Sequence, residues 1–149
     1  MKITYYEPDN LQSCTELFMN VYNNETWKCR WTEAKAKKYL QELVDMPRFV
    51  GFLLHDDDEE LIGVAMCQER TWWYRDELNI IDFFIDPKWQ PKGSGSHLLK
   101  FMEKHVKERE LAGITSMTNN LDMAEFYQKN KFHYNDILFM YKGVPLEEA

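Results

Sequence analysis

The stretch from Leu78 to His97 combines residue types that suit the binding of a phosphate group. It opens with an almost continuous apolar run from Leu78 to Ile85, which is typical of a strand covered on both faces. A proline ends this run, and the glycines Gly93 and Gly95 lead into a helical pattern that begins at about Ser94. Because the first turn of a helix has unpaired N–H groups and a partial positive charge, this order predicts an anion site.

Asp82 is the one charged residue inside that apolar run. Burial raises the pKa of a carboxyl group and makes a carboxylate without partners unstable, so a charge in this position requires a hydrogen-bond partner or serves in catalysis. Two interpretations therefore remain open for Asp82, a general base and a carboxylate held by structural hydrogen bonds. Glu77, just before the run, is the second candidate for a base.

The loop from Gln90 to Gly95 indicates which kind of phosphate site to expect. The chain contains no G-x-x-x-x-G-K-[ST] motif, and the segment from Gly93 to Leu98 lacks the third glycine of the dinucleotide-binding fingerprint. The order Gln90-Pro-Lys-Gly93-Ser-Gly95 fits instead the Q/R-x-x-G-x-G/A signature of the GNAT superfamily of N-acetyltransferases. The chain therefore resembles a GNAT enzyme, and the resemblance implies that the loop amides bind the pyrophosphate of acetyl-CoA.

A second segment, from Asn120 to Phe132, resembles the N-x-x-A-x-x-x-Y-x-x-x-G-F helix of that family. The resemblance implies that Tyr127 protonates the departing sulfur of CoA and that Asn120 contacts the cofactor. An aromatic core residue at helical spacing from Met123 is the other interpretation of Tyr127. The residues implied to contact acetyl-CoA are Phe83, Phe84, Ile85, Gln90, Lys92, Gly93, Ser94, Gly95, Ser96, Asn120 and Tyr127.

The resemblance also bears on the role of Asp82. In some aminoglycoside 6′-N-acetyltransferases of this superfamily an aspartate lies just before the strand residues that bind pantetheine, which is the place of Asp82. Free amines are mostly protonated at neutral pH, so N-acetyl transfer is helped by a base for the incoming amine and an acid for the departing thiolate. The resemblance therefore implies Asp82, directly or through water, as base and Tyr127 as acid.

Two positions depart from the family pattern. Pro91 stands where a glycine is common, and because it has no N–H it cannot donate to a pyrophosphate. Lys131 replaces the glycine that usually ends the tyrosine helix. We therefore expect either Asn130 in the left-handed conformation or a strained turn that costs about 1 kcal/mol.

Aromatic and acidic residues outside the loop predict the site of the acetyl acceptor. An irregular stretch holds two tryptophans, and a long predicted strand ends in three further aromatic residues. Next to acidic residues these rings suit a cationic amine, by charge and by cation–π contact. The predicted acceptor-binding residues are Trp27, Trp31, Trp72, Trp73, Tyr74, Glu77 and Asp82. The alternative for Trp72 and Trp73 is that they cover a core edge or a dimer interface.

The elements that position these residues follow from hydrophobic periodicity. The pattern predicts the order β-α-α-β-β-β-α-β-α-β over residues 1–149 as a single domain, with parallel strands only around the glycine-loop helix. The predicted class is α/β (α+β), and the resemblance implies a GNAT fold with a mixed sheet of about six to seven strands and about four helices. One predicted strand runs from Leu61 to about Tyr74, and the last runs from Phe132 to Lys142.

Composition excludes several classes of function. The formal charge of −7 disfavours a nucleic-acid partner, because phosphate contacts require clustered Lys and Arg. The three cysteines are widely spaced and the histidines form no metal motif, so we expect no metal site and a reducing compartment. No apolar run is long enough for a signal peptide or a membrane span, so we expect a cytoplasmic protein without a membrane partner.

These observations lead to one main hypothesis and two alternatives. The main hypothesis is acetyl-CoA-dependent acetylation of a primary amine on a small cationic acceptor by direct attack. The first alternative is acetylation of a protein N-terminus or a lysine. The second is a degenerate domain that binds CoA or a partner without catalysis. A homodimer is a common arrangement in the family, and the aromatic residues allow one.

Overall fold

The computed structural model of the chain describes residues 1–118, 120–135 and 138–146, and it divides into two compact units. The first unit, Met1–Met117, contains β1 (Lys2–Tyr5), α1 (Leu11–Tyr22), α2 (Glu33–Val44), β2 (Phe49–His55), β3 (Leu61–Arg70), β4 (Glu77–Ile85), α3 (Ser94–Glu108) and β5 (Ile114–Ser116). The described part of the second unit, which begins at Thr118, contains α4 (Leu121–Lys129). The single domain over residues 1–149 stays a prediction.

The five strands form one mixed sheet in the order β1-β2-β3-β4-β5. Neighbours are antiparallel except β4 and β5, which run parallel and are connected through α3, as the sequence predicts. The ladder between β4 and β5 covers only Leu78 to Ile80, while β4 continues to Ile85. The carboxyl half of β4 therefore extends beyond its parallel neighbour.

The sheet has fewer strands than the predicted six to seven. The described residues do not form the predicted last strand from Phe132 to Lys142: residues 132–135 and 138–142 have no strand, and residues 136 and 137 lie outside the described part. Apolar side chains of this segment, such as Phe139 and Tyr141, are exposed. An apolar run indicates strand propensity but supplies no hydrogen-bonded partner, and a strand requires one.

β3 is also shorter than predicted, because it ends at Arg70 instead of near Tyr74. Arg70 is already opposite Glu77 in the pairing of β3 with β4, so the chain turns within the residues between them. The aromatic residues of that hairpin loop are exposed, with Trp73 at 85%. Aromatic side chains favour strands, and for this reason the predicted end of β3 lies too far along the chain. These exposed rings cover no core that would hold the segment in the sheet.

α1 and α2 cover one face of the sheet. The Thr32 hydroxyl accepts a hydrogen bond from the backbone N–H of Lys35 at 3.2 Å and so caps α2. The buried residues that these helices share with the sheet are Cys14, Leu17, Phe18, Val21, Ala36, Leu40, Leu43, Leu53, Val64, Met66 and Phe84. Within the described ranges, no helix is both long enough and apolar enough to cross a membrane.

α3 covers the opposite face, where Glu69 of β3 is the centre of a polar network. Both carboxylate oxygens of Glu69 accept hydrogen bonds from Arg109, at 2.9 and 2.7 Å. Nε2 of His105 lies 3.0 Å from Glu69, and Nδ1 of the same ring lies 2.9 Å from the Tyr5 hydroxyl. The hydrogen bond from Arg109 lowers the pKa of Glu69, against the effect of burial. The network ties β1, β3 and the end of α3 together.

We predict that Glu69→Gln lowers the free energy of unfolding at neutral pH by about 1–3 kcal/mol, because the amide loses the charge that Arg109 and His105 bind. The value stays moderate since Arg109 is largely exposed. Folding lowers the pKa of Glu69, so its charge contributes stability above its usual pKa of 4.5, and this contribution is lost as the pH falls through the folded-state pKa. The difference in the free energy of unfolding between the variant and the parent should therefore be largest at neutral pH and decrease below about pH 4.5.

Urea unfolding followed by circular dichroism, from about pH 3.5 to neutral pH, measures this difference. Glu103→Gln is the matched control, because Glu103 lies on α3, is exposed and forms no ion pair within the described residues. It should change the free energy of unfolding by less than about 0.5 kcal/mol. A difference for Glu69→Gln that did not vary with pH would contradict the prediction.

Candidate active site

Asp82 lies at a β-bulge in β4. In the pairing with β3, Met66 is opposite Asp82, but the next residue, Cys67, is opposite Ile80, so Ile81 is the extra residue. A bulge interrupts the alternation of side chains along a strand. Consequently Ile81 packs against the core beneath α1 and α2, and Asp82 contacts the same two helices.

Two tyrosine hydroxyls bind the Asp82 carboxylate. Tyr22, the last residue of α1, donates to Oδ1 at 2.6 Å, and Tyr39 of α2 donates to Oδ2 at 2.8 Å. The backbone of Phe83 provides a third hydrogen bond to the carboxylate. Each carboxylate oxygen thus has a donor, and all of these donors are electrically neutral.

Burial raises the pKa of Asp82 above its usual value, while the hydrogen bonds from Tyr22, Tyr39 and Phe83 act in the opposite direction. Burial and the charge of Asp82 also raise the pKa of Tyr39, so this hydroxyl remains a donor. No cationic side chain of the described residues forms an ion pair with Asp82, and none of their His, Cys, Asp and Glu clusters could hold a metal ion. A carboxyl group in this environment exchanges its proton closer to neutral pH, which is a property of general bases.

Trp27 and Trp31 surround the two tyrosines. The centroid of the Trp27 ring lies 5.2 Å from that of Tyr22 in an edge-to-face contact, and the Trp31 centroid lies 5.3 Å from that of Tyr39. Both tryptophans are partly buried against the core. The structure therefore brings these two predicted acceptor-binding residues together with Asp82, through the tyrosines.

The other predicted acceptor-binding residues lie at the far end of β4. The Glu77 carboxylate lies 3.5 Å from the Arg70 guanidinium, and the loop beyond them contains Trp72, Trp73 and Tyr74. Arg70 lies over the ring of Trp72 at 5.7 Å. Asp82 lies five positions after Glu77 along β4, which corresponds to roughly 16 Å at about 3.3 Å per residue. This aromatic group therefore does not adjoin Asp82.

The loop between β4 and α3 is built around Gly93. The Gln90 side chain donates to the carbonyl oxygen of Ile85 at 2.9 Å and ties the loop to the end of β4. Gly93 has a φ of 75°, in the left-handed region where a residue with a Cβ is strained. A Cβ built on Gly93 would meet no heavy atom within 4 Å, so the space beside this glycine is open.

The first turn of α3 has four consecutive backbone N–H groups, from Gly93 to Ser96, that have no acceptor in the described part of the chain. They include the predicted donors Gly93, Ser94 and Gly95. The N–H of Lys92 donates instead to the carbonyl oxygen of Trp89 at 3.2 Å, and Pro91 has no N–H. The N–H groups without an acceptor in the described residues therefore lie on Gly93 and the first turn of α3.

The end of β4 contains the three residues predicted to bind pantetheine, Phe83, Phe84 and Ile85, and their side chains are buried. The Phe84 ring packs on Phe18, with the centroids 5.4 Å apart. Because the ladder with β5 ends at Ile80, the backbone of Phe84 and Ile85 lies beyond the parallel strand. A hydrogen bond from the backbone of Phe83 goes to Asp82.

The second unit contains Asn120 and Tyr127. Oδ1 of Asn120 accepts a hydrogen bond from the backbone N–H of Met123 at 3.0 Å, so Asn120 caps α4. Tyr127 is 7% exposed, and its ring packs on those of Phe126 and Phe132, at centroid distances of 5.5 and 4.9 Å. Both residues therefore have a local structural role, whatever they do in catalysis.

The sequence does not identify Tyr22 and Tyr39 as site residues. Helical periodicity explains both as packing residues of α1 and α2. A tyrosine at a core face needs a partner for its hydroxyl, and a carboxylate in an apolar strand needs donors. These complementary requirements are the signal that connects the two tyrosines with Asp82.

Residues 13–132 match the model of the acetyltransferase (GNAT) family. No curated protein matches the chain. Among solved structures the chain is similar to a probable acetyltransferase, with a TM-score of 0.76 and 18% sequence identity over 100% of both chains.

Two further similar structures are complexes of acetyltransferases with bound ligands. One is the aminoglycoside acetyltransferase meta-AAC0020 from an uncultured soil metagenomic sample, in complex with sisomicin (TM-score 0.74, 17% identity, 97% of this chain and 96% of that chain). The other is AAC(6')-Iy in complex with the bisubstrate analog CoA-S-monomethyl-acetylneamine (TM-score 0.73, 13% identity, 97% of this chain and 98% of that chain). At these identities the similarities show the shared fold.

The end of α4 decides between the two conformations expected around Lys131. Lys131 itself has a φ of 68°, whereas Asn130 has a φ of −96°. We predict that Lys131→Gly raises the free energy of unfolding by about 0.5–1 kcal/mol, because glycine adopts the left-handed conformation without strain. Lys129→Gly is the control within α4 and should lower it by a similar amount, since glycine is a poor helix former. Urea unfolding measures both, and a loss of stability in Lys131→Gly would refute the prediction.

Proposed function

Because the chain belongs to the acetyltransferase (GNAT) family, we propose that it transfers the acetyl group of acetyl-CoA to the primary amine of a small cationic acceptor. The observation that carries this proposal is the Asp82 carboxylate, which is bound by the hydroxyls of Tyr22 and Tyr39, whose rings pack on those of Trp27 and Trp31. A protonated amine would supply a positive charge for this carboxylate and interact favourably with the aromatic faces. The site has the chemistry to bind an ammonium group and to accept its proton.

The start of α3 fits the pyrophosphate of acetyl-CoA. The amides from Gly93 to Ser96 are donors without protein acceptors in the described chain, the space beside Gly93 is open, and a helix N-terminus favours negative charge. The backbone of Phe84 and Ile85 would hold the pantetheine arm. Bound acetyl-CoA supplies a thioester, whose C–S bond breaks as the C–N bond to the acceptor forms.

Two side chains would move the protons. Asp82 would take a proton from the acceptor amine, directly or through one water, and burial makes its carboxylate a stronger base than one on the surface. Tyr127 would give the proton of its hydroxyl to the departing sulfur, because a thiolate leaves more easily with an acid nearby. One proton is taken up and one is released, and exchange with solvent restores both groups.

A small amine is favoured over a protein as acceptor. The formal charge of −7 favours cations in general. The enzyme meta-AAC0020, which shares the fold, was solved with sisomicin, and this supports an aminoglycoside or another polyamine as the first class of compound to test. Acetylation of a protein N-terminus or lysine, and CoA binding without catalysis, are the competing functions.

We predict that the chain releases CoA from acetyl-CoA with at least one amine from a panel of aminoglycosides, polyamines, amino acids and peptides. Asp82→Asn and Tyr127→Phe should each lower kcat/KM by about 10²–10⁴-fold, because an amide cannot take up the proton and phenylalanine cannot give one. A thiol reagent that detects free CoA measures the rate.

Asp58→Asn and Tyr134→Phe are the matched controls, because both residues are exposed and lie outside the proposed site. Turnover with peptides alone would favour a protein acceptor. Binding of acetyl-CoA without turnover on any amine would favour the non-catalytic module. Unchanged turnover in Tyr127→Phe would remove Tyr127 from the mechanism.

We also predict that Gly93→Ala weakens acetyl-CoA binding by at least about tenfold, because a Cβ enters the space where the pyrophosphate would approach the backbone. Gly113→Ala is the control, since a Cβ at Gly113 likewise meets no heavy atom within 4 Å and the residue lies outside the loop. Isothermal titration calorimetry measures the Kd. An unchanged Kd in a folded Gly93→Ala protein would count against this role of the loop.

A further inference from the structure

The hydrogen bonds of Asp82 connect three elements that are far apart in the chain. The hydroxyl of Tyr22 comes from the end of α1, that of Tyr39 from the middle of α2, and the carboxylate from the bulge of β4. The distance of 2.6 Å from the Tyr22 hydroxyl is in the range of O–H···O bonds to an ionised acceptor, and the distance of 2.8 Å from the Tyr39 hydroxyl is that of an ordinary, well-formed hydrogen bond. The geometry therefore favours the charged form of Asp82.

We propose that Tyr22 and Tyr39 are positioning residues of the transferase, which hold the Asp82 carboxylate ionised and in one orientation so that it can take the proton of the acceptor amine. The inference rests on the function proposed above and adds two residues to it. The two hydroxyls and the backbone of Phe83 provide three hydrogen bonds to the carboxylate, whose oxygens can accept about four, so one lone pair remains where an ammonium N–H or a water would donate. The proton moves from the amine nitrogen to a carboxylate oxygen, and the tyrosines keep their own protons.

The surroundings of Asp82 leave the tyrosines as the groups that control its charge. The residue opposite Asp82 on β3 is Met66, which is uncharged. The charged residues of the loop after α1, which are Glu25, Lys28 and Arg30, are exposed and form no ion pair with Asp82. Among the described residues, the titratable side chains that face this carboxylate are Tyr22 from α1 and Tyr39 from α2. Removing either hydroxyl therefore destabilises the ionised form and raises the pKa of Asp82.

The test uses Tyr22→Phe, Tyr39→Phe and the double variant, which keep the aromatic packing. The first readout is the pKa of Asp82 by carbon-13 NMR of its carboxyl group in the full chain without ligands, with Asp82→Asn to assign the signal. We expect each single variant to raise the titration midpoint by about one pH unit, and the double variant by more. The second readout is the pH profile of kcat/KM with the best acceptor of the amine panel, whose acid limb should move upward by the same amount.

Tyr6→Phe is the matched control, because Tyr6 packs against the same core and its ring lies 5.5 Å from Phe49, away from Asp82. It should leave both readouts unchanged, whereas a merely structural role of Tyr22 and Tyr39 would alter the melting temperature and leave the acid limb of the kcat/KM profile in place. An unshifted midpoint in both single variants overturns the proposal. A shifted titration midpoint of Asp82 with an unshifted acid limb of the kcat/KM profile also overturns it. In that case the tyrosines would control the pKa of Asp82, but Asp82 would not take part in the reaction.

Failure of the underlying function is visible separately. A parent chain that shows no turnover with any amine contradicts the transferase assignment, and with it the role in proton transfer. The NMR titration does not depend on turnover, so in that case it still reports whether the tyrosines hold the charge of Asp82.

Discussion

The burial of one carboxylate, that of Asp82, is the constraint on which the site depends. A carboxylate inside an apolar strand is unstable unless donors reach its oxygens. Here the two hydroxyl donors belong to different helices and lie 2.6 and 2.8 Å from the acceptor atoms. α1 and α2 must therefore be placed on the sheet to within a few tenths of an ångström, because hydrogen bonds weaken outside a narrow range of distances. The packing of the core therefore determines the hydrogen bonds of the site.

Phe18 is the core residue that links the placement of the two tyrosine donors to that of β4. Its buried ring contacts those of Tyr22, Tyr39 and Phe84, with centroids 4.8, 5.5 and 5.4 Å apart. One side chain of α1 thus touches the two donors and the residue two positions after the acceptor. Interiors are close-packed and aromatic pairs prefer few orientations, so this contact limits where the hydroxyls can point. Apolar packing orients the polar groups of the site.

Structural features that depend on residues close together in the sequence, such as the ends of helices, could be predicted. α1 runs from Leu11 to Tyr22, and α3 begins at Ser94 directly after Gly93, as periodicity and the glycines indicate. The partners of Asp82 could not be predicted, because they lie 60 and 43 positions away and only tertiary packing brings them to it. The bulge at Ile81 depends on the register with β3, and the face on which Asp82 lies follows from that register.

Glu69 and Asp82 show that neighbouring strands can stabilise a buried and a partly buried carboxylate by opposite means. Glu69 binds the guanidinium of Arg109, and its pKa falls, so it remains ionised and holds no proton near neutral pH. Asp82 binds neutral hydroxyls, and because no cation among the described residues offsets its burial, its pKa rises. A group that exchanges its proton closer to neutral pH is the better general base. The difference between a cationic and a neutral donor therefore gives Asp82, of these two carboxylates, the raised pKa that the proposed role as a base requires.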